Sequence, residues 1–134
     1  MLYRIAAVLL FIFAVMHTIG FLSLTPPTPE ALAVRDGMTN VHFHLQGADL
    51  SYGGFYRGFG LAITANGLFI AFLAWQLGKH PNPAIGWGLV VLQIAGFVLG
   101  LMYFAAGPAA ANLLTAACLG WATWKSQSSA RISK

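Results

Sequence analysis

Four stretches of this chain hold no Asp, Glu, Lys or Arg: Ile5–Leu24, Gly58–Gly78, Ala84–Ala105 and Pro108–Trp124. A helix crossing the hydrocarbon of a bilayer needs about 20 residues, with a range of about 17–25. All four stretches meet that requirement, the last at its short end. Hydrocarbon offers the backbone no hydrogen-bonding partner of its own, so each stretch is expected to be helical. The same feature excludes a water-soluble fold. Only 7% of the 134 residues are charged, against about 25% in ordinary soluble domains, and ten charges cannot build a hydrated shell. The expected fold class is all-α: one integral membrane domain over residues 1–134, a four-helix bundle with a folded outer loop between spans one and two. The bilayer is its first partner.

The formal charge of +4 is carried by single, scattered residues, Arg4, Arg35, Arg57, Lys79, Lys125, Arg131 and Lys134. No basic patch or basic helix results, which excludes nucleic acid as a partner. The basic residues are distributed unequally across four spans. Arg4, Lys79, Lys125, Arg131 and Lys134 share the side of the termini, whereas Arg35 and Arg57 share the other side with Glu30, Asp36 and Asp49. This asymmetry predicts that both termini are cytoplasmic. Trp75, Trp87, Trp121 and Trp124 fall at the cytoplasmic ends of the spans, and Tyr52, Tyr56 and Tyr103 at the outer ends, as interfacial belts do. The opening "MLYRIAAVLLFIFAVM" has the basic start and apolar run of a signal peptide. Its nearest small-x-small site, Ala31-x-Ala33, lies beyond Pro26, Pro27 and Pro29, so a retained anchor is expected. The single Cys118 sits in an apolar run and reads as a packing residue.

"GKHPNP" and Gly107–Pro108 are short turns, the second with Pro108 expected at the first helical position. Such turns predict that spans two to four are antiparallel neighbours. Residues 125–134, "KSQSSARISK", read as a frayed polar cytoplasmic tail.

The long connection, residues 25–57, is expected to be a lid over the outer end of the bundle. "TPPTPEALAVRDG" predicts a proline exit and a short helix with Thr28 as N-cap, Pro29 at the first helical position and Gly37 as its end. "VHFHLQ" alternates. Extended, it places His42, His44 and Gln46 on one face; in a helix the two imidazoles would diverge by about 200°. In "SYGGFYRGFG" Gly54 and Gly58 are four apart, as are Gly96 and Gly100 in span three, and small-xxx-small spacing lets helices approach closely in lipid.

"HTIGFL" closing span one, the following "PP", then "VHFH", "SYGGFYRGFG" and "AWQLG" resemble a family of small bacterial four-helix membrane proteins. The resemblance covers most of residues 1–78 and fades in the last two spans. It implies architecture and a bacterial inner-membrane location, and no chemistry. A looser similarity to DoxX-type four-helix membrane proteins rests on span count and size, which is analogy.

The polar groups that point to function cluster near the outer end. His17 lies within span one, and a histidine at membrane depth is a functional-site candidate by default; its structural alternative is a neutral imidazole bonded to another helix or to the lid. His17, His42 and His44, with Asp49 or Glu30, are candidates for a zinc, copper or iron site, although no H-E-x-x-H motif or cysteine pair accompanies them. Two-histidine haem ligation would need a second histidine inside a span, and His80 is on the opposite side. No cofactor is required by the sequence. Arg57 with Asp49 is a candidate anion anchor for a lipid phosphate or carboxylate, or a plain interfacial ion pair. Asn66, Gln93 and Asn112 are the other notable polar residues within the spans, and Asn66 and Gln93 are expected to bond across helices.

Two functional readings follow. One is a non-catalytic binding or accessory protein whose capped outer mouth takes a small apolar molecule, a lipid or a membrane protein partner. Its site would be drawn from His17, His42, His44, Asp49, Tyr52, Tyr56 and Arg57. The other is a small membrane enzyme acting on an apolar substrate, with His17, His42 and His44 as acid, base or metal ligands. No nucleophile is paired with a base and an orienting group, so the first reading is preferred.

Overall fold

The charge-free stretches fold as helices, and the connection after the first of them is more ordered than a loop. The computed structural model describes residues 1–104 and 106–132. In chain order the elements are α1 (Leu2–Ser23), α2 (Pro29–Asn40), β1 (His42–Leu45), β2 (Ala48–Ser51), α3 (Tyr52–Leu77), α4 (Pro83–Tyr103) and α5 (Ala106–Ile132). The chain is therefore all-helical in class, with five helices and one small hairpin among the described residues. The helices α1, α3 and α4 are long and apolar enough to cross a membrane. Helix α5 is outside that set because its uncharged run is short and built largely from Ala, Gly and Thr.

Several boundaries differ from the expected ones, each for a local reason. Helix α3 starts at Tyr52 rather than near Gly58, because the Ser51 hydroxyl accepts the Gly54 N–H at 3.1 Å and caps the helix there. Helix α5 starts at Ala106, so Pro108 is its third residue, still in the first turn where an N–H has no intrahelical partner. The segment expected to fray continues α5 as far as Ile132, with Ser126 and Ser128 donating back to the Thr123 and Trp124 carbonyls; Ser133 and Lys134 lie outside the described residues.

The chain divides into two compact units. The first comprises residues 1–13 and residues from 67 onward. Its core gathers Tyr3, Ala6, Ala7 and Leu10 from α1 and Ala71, Ala74 and Leu77 from α3. Leu89 of α4 and Leu119 and Ala122 of α5 complete it. Half of these are alanines, as expected where close backbone approach, rather than expulsion of water, holds helices together. At its centre Tyr3 Oη donates to Thr123 Oγ1 at 3.0 Å, and Thr123 Oγ1 donates to the Leu119 carbonyl at 2.7 Å. The Gly96 and Gly100 spacing is used as expected: a Cβ at Gly100 would stand 3.0 Å from Ala109 Cα, and one at Gly96 would stand 3.0 Å from Asn112 Oδ1. Asn112 itself donates to the Pro108 carbonyl of its own helix at 3.0 Å, a bond within the helix rather than across it. The guanidinium of Arg4 lies 5.3 Å from the Trp75 ring centroid. The connection before α4 is capped as its sequence requires, with Asn82 Oδ1 accepting from the Ala84 and Ile85 N–H groups and Pro83 following it. Large apolar side chains such as Val91, Leu101 and Met102 are 68, 61 and 64% exposed, a surface suited to acyl chains and not to water.

The second unit, residues 14–66, holds the end of α1, α2, the hairpin and the start of α3. Helix α2 begins as expected: Thr28 Oγ1 accepts from the Ala31 N–H at 3.2 Å and Pro29 follows the cap. It does not end at Gly37. Glycine in a helix interior costs only about 1 kcal/mol, and the ladder continues to Asn40 with the Val41 N–H donating to the Gly37 carbonyl.

The segment "VHFHL" is extended, as its alternation requires, and pairs antiparallel with Ala48–Ser51 in the register His42↔Ser51, Phe43↔Leu50, His44↔Asp49, Leu45↔Ala48. Gln46 (φ 52°) and Gly47 (φ 82°) form the two-residue turn, both with positive φ, the arrangement of a type I′ hairpin. A non-glycine residue in this region costs roughly 1–2 kcal/mol, partly offset by the greater chain entropy that glycine brings to the unfolded state. Gln46→Gly is accordingly expected to stabilise the hairpin by up to about 1 kcal/mol, read as slower amide exchange over residues 42–51. Gly47→Ala is expected to do the reverse.

The small-residue face of α3 also differs from its spacing. A Cβ at Gly58 would meet nothing within 4 Å and one at Gly54 would meet only Ser51 Oγ at 3.4 Å. The close approach falls two residues later, at buried Gly60, where a Cβ would collide with the ring of Phe21.

Candidate ligand-binding cavity

Within the second unit, the ends of α1 and α3 meet through polar groups. The half-buried His17 donates from Nε2 to the Gly60 carbonyl at 3.1 Å; a carbonyl only accepts, so this nitrogen carries the proton. Thr18 Oγ1 donates to the Ala14 carbonyl at 2.8 Å and lies 2.8 Å from Thr64 Oγ1, with which it shares a hydrogen bond. The His17 ring stacks on Phe21, with centroids 5.8 Å apart and planes 10° apart, and Phe21 tilts against Tyr56 at 5.2 Å. This hydrogen bond of His17 thus goes to a backbone carbonyl of α3 rather than to a side chain of the lid.

Phe21 and Tyr56 are also walls of a cavity of about 490 Å³, within the range of about 300–1,000 Å³ typical of small-molecule sites. The end of α1 contributes Leu22, and Leu24 and Pro26 follow from the connection. Helix α2 contributes Ala31, Val34, Arg35, Asp36 and Met38 among others, and the start of α3 contributes Gly53, Tyr56 and Arg57. Each element is positioned by a rule already described: the Pro26–Pro27 exit, the Thr28 cap that starts α2, and the Ser51 cap that starts α3. Gly53 is required where it stands, since a Cβ there would lie 2.9 Å from Thr39 Cα.

The electrostatics of the lining are unequal. Arg35 Nε lies 3.8 Å from Asp36 Oδ1, with the two side chains 48% and 56% exposed, and Arg35 Nη1 reaches the Leu24 carbonyl at 3.5 Å. Arg57 has no carboxylate within ion-pairing distance among the described residues, which include all three acids of the chain. The cavity thus carries two guanidiniums and one carboxylate against walls of Phe, Leu, Val, Met and Pro.

The residues singled out from sequence separate into two groups. Tyr56 and Arg57 line the cavity; His17 supports its wall through Phe21 without lining it. Tyr52 turns to Phe43, with ring centroids 5.1 Å apart. His42 and His44 share the polar face of the hairpin with Asp49: His42 Nδ1 is 2.9 Å from Asp49 Oδ2, and His44 Nδ1 is 3.9 Å from Asp49 Oδ1. The Asp49 carboxylate therefore faces histidines and does not pair with Arg57. Among the described residues no three His, Cys, Asp or Glu side chains gather into a group able to hold a metal ion, so His17, His42 and His44 do not converge on one point. Sequence reasoning missed Phe21, Gly60 and Arg35. Arg35 follows Val34 on an exposed helix, and only the folding of α2 toward α1 and α3 within this unit brings it to the cavity.

No family model matches this chain, and no curated protein or solved structure is significantly similar to it.

Proposed function

We propose that this chain is a multi-pass inner-membrane protein of the small bacterial four-helix kind, with a binding or accessory role and no catalytic one. Its ligand is a small lipid-like molecule held in the cavity formed by α1, α2 and α3. In this proposal α5 is a fourth crossing, both termini are cytoplasmic, and α2, the hairpin and the cavity mouth lie on the outer side. Five basic residues on the side of the termini, against two arginines on the other side together with all three acids, support that orientation. The observation that carries the binding reading is the cavity itself: about 490 Å³, apolar in its walls, polar at Arg35, Asp36 and Arg57. An enzyme built on His17, His42 and His44 is the weaker reading because none of the three lines that cavity.

Filling the cavity tests the proposal. Ala31 is a half-buried lining residue of α2, and Ala33, two residues on, is exposed and not part of the lining. Native mass spectrometry of protein released from its membrane should show a small-molecule adduct on the wild type and on Ala33→Trp. Ala31→Trp should carry at least tenfold less. Equal adducts on both variants, or none on the wild type, would contradict a ligand in this cavity.

A further inference from the structure

We infer that the cavity selects an anionic amphiphile with a single chain, its phosphate or carboxylate head held between Arg57 and Arg35 and its chain against Phe21, Leu22, Leu24, Val34 and Met38. The inference rests on the binding role proposed above and specifies the ligand.

Three observations point to the head group. Arg57 lines the cavity without a carboxylate partner among the described residues, although Asp49 lies only eight positions earlier in the chain; Asp49 is occupied by His42 and His44. Arg35 lines the same cavity, and its only ion pair among the described residues is the 3.8 Å contact to Asp36, long and solvent-exposed, the kind of pair that contributes little. A guanidinium presents donors in a planar fork that fits the oxygens of a carboxylate or phosphate. Two guanidiniums against the one carboxylate of Asp36 leave a single positive charge in excess in the lining, which matches one anionic head.

Two observations point to the tail. Apart from Thr39 and Asn40 the remaining walls are aromatic, aliphatic or glycine, and two of them, Phe21 and Leu22, come from the end of a helix apolar enough to cross a membrane, a setting that suits an acyl chain. The volume is that of one small ligand, too little for the whole of a two-chain lipid with its head group. Asp36 opposes an anion at the same site, so its removal should strengthen binding while removal of either arginine weakens it. That opposite pair of signs is specific to an anionic head.

The test uses the full chain in phosphatidylcholine nanodiscs with dodecyl phosphate, dodecanoate, dodecanol and inorganic phosphate as probes. The wild type should bind both anionic amphiphiles at least tenfold more tightly than dodecanol, and inorganic phosphate at least tenfold more weakly than dodecyl phosphate. Arg57→Gln should lower dodecyl phosphate binding about tenfold or more, the loss expected when a charge-assisted hydrogen bond goes, and leave dodecanol binding unchanged. Asp36→Asn should raise dodecyl phosphate binding severalfold. Equal binding of dodecanol and the anions, with both sensitive to Ala31→Trp, would overturn the anion selection while preserving the cavity as a binding site. Inorganic phosphate binding as tightly as dodecyl phosphate would overturn the amphiphile and assign the site to a free anion. Binding of none of the four would overturn both this inference and the role on which it rests. Unchanged amide exchange over residues 42–51 in Arg57→Gln verifies that the variant remains folded.

Discussion

Gly86→Val should be among the most damaging single substitutions in this chain, lowering stability by about 3 kcal/mol in detergent. A Cβ at this position would collide with Thr123 Oγ1 and stand 3.0 Å from Tyr3 Oη. Neither neighbour is free to give way. Thr123 is fully buried and Tyr3 is 5% exposed, they are hydrogen-bonded to each other, and Thr123 is bonded again to Leu119. Overpacking a close contact costs about 1–3 kcal/mol, and losing the Tyr3–Thr123 bond adds about 1 kcal/mol. Gly88→Val, on the same helix with nothing within 4 Å of its Cβ, is the control and should change little. Thermal loss of helical circular dichroism compares the two, and equal midpoints would contradict the packing described for Tyr3, Gly86 and Thr123.

The second large effect belongs to Gly60→Leu, which should cost about 1–3 kcal/mol and also reshape the cavity. The substituted side chain would take the space of the Phe21 ring, and Phe21 is both the stacking partner of His17 and a wall of the cavity. Ligand binding and stability should therefore fall together. Gly58→Leu should stay within about 0.5 kcal/mol of the wild type, as surface changes do, because nothing lies within 4 Å of its Cβ and it is exposed. A more damaging Gly58→Leu would restore the Gly54/Gly58 face as the contact surface.

The contrast between Gly58 and Gly60 shows what a sequence can reveal about a fold of this kind. Rules acting over a few residues were legible: the Thr28 cap with Pro29, the short turn "GKHPNP" before α4, and the extended alternation of His42–Leu45. The partner strand was not, because "QG" at Gln46–Gly47 is a weaker turn signal than Asn-Gly, and Ala48–Ser51 alone has little strand character. Several glycines in "SYGGFYRGFG" offer close approach, and the one that is used depends on the rotation of α3 about its axis, fixed by Phe21 some 40 positions earlier. His17 was identifiable as a group needing a partner, but its partner is a backbone carbonyl, which every residue carries. Proximity in sequence favours Asp49 as the partner of Arg57, whereas the strand register turns that carboxylate to His42 and His44. His17, His42 and His44 stand apart for a related reason: a hairpin places His42 and His44 beside one carboxylate, and His17 has its own bond on α3.

In the proposed topology four crossings leave the cavity on the side opposite both termini, and cysteine labelling in whole cells tests that proposal most directly. With Cys118→Ser as background, Val34→Cys places a thiol on the cavity lining and Lys125→Cys places one beyond the last uncharged stretch. A membrane-impermeant maleimide added to intact cells should label Val34→Cys and should reach Lys125→Cys only after the membrane is permeabilised. Labelling of Lys125→Cys in intact cells to the same extent as Val34→Cys would mean that α5 does not cross, and would contradict the account.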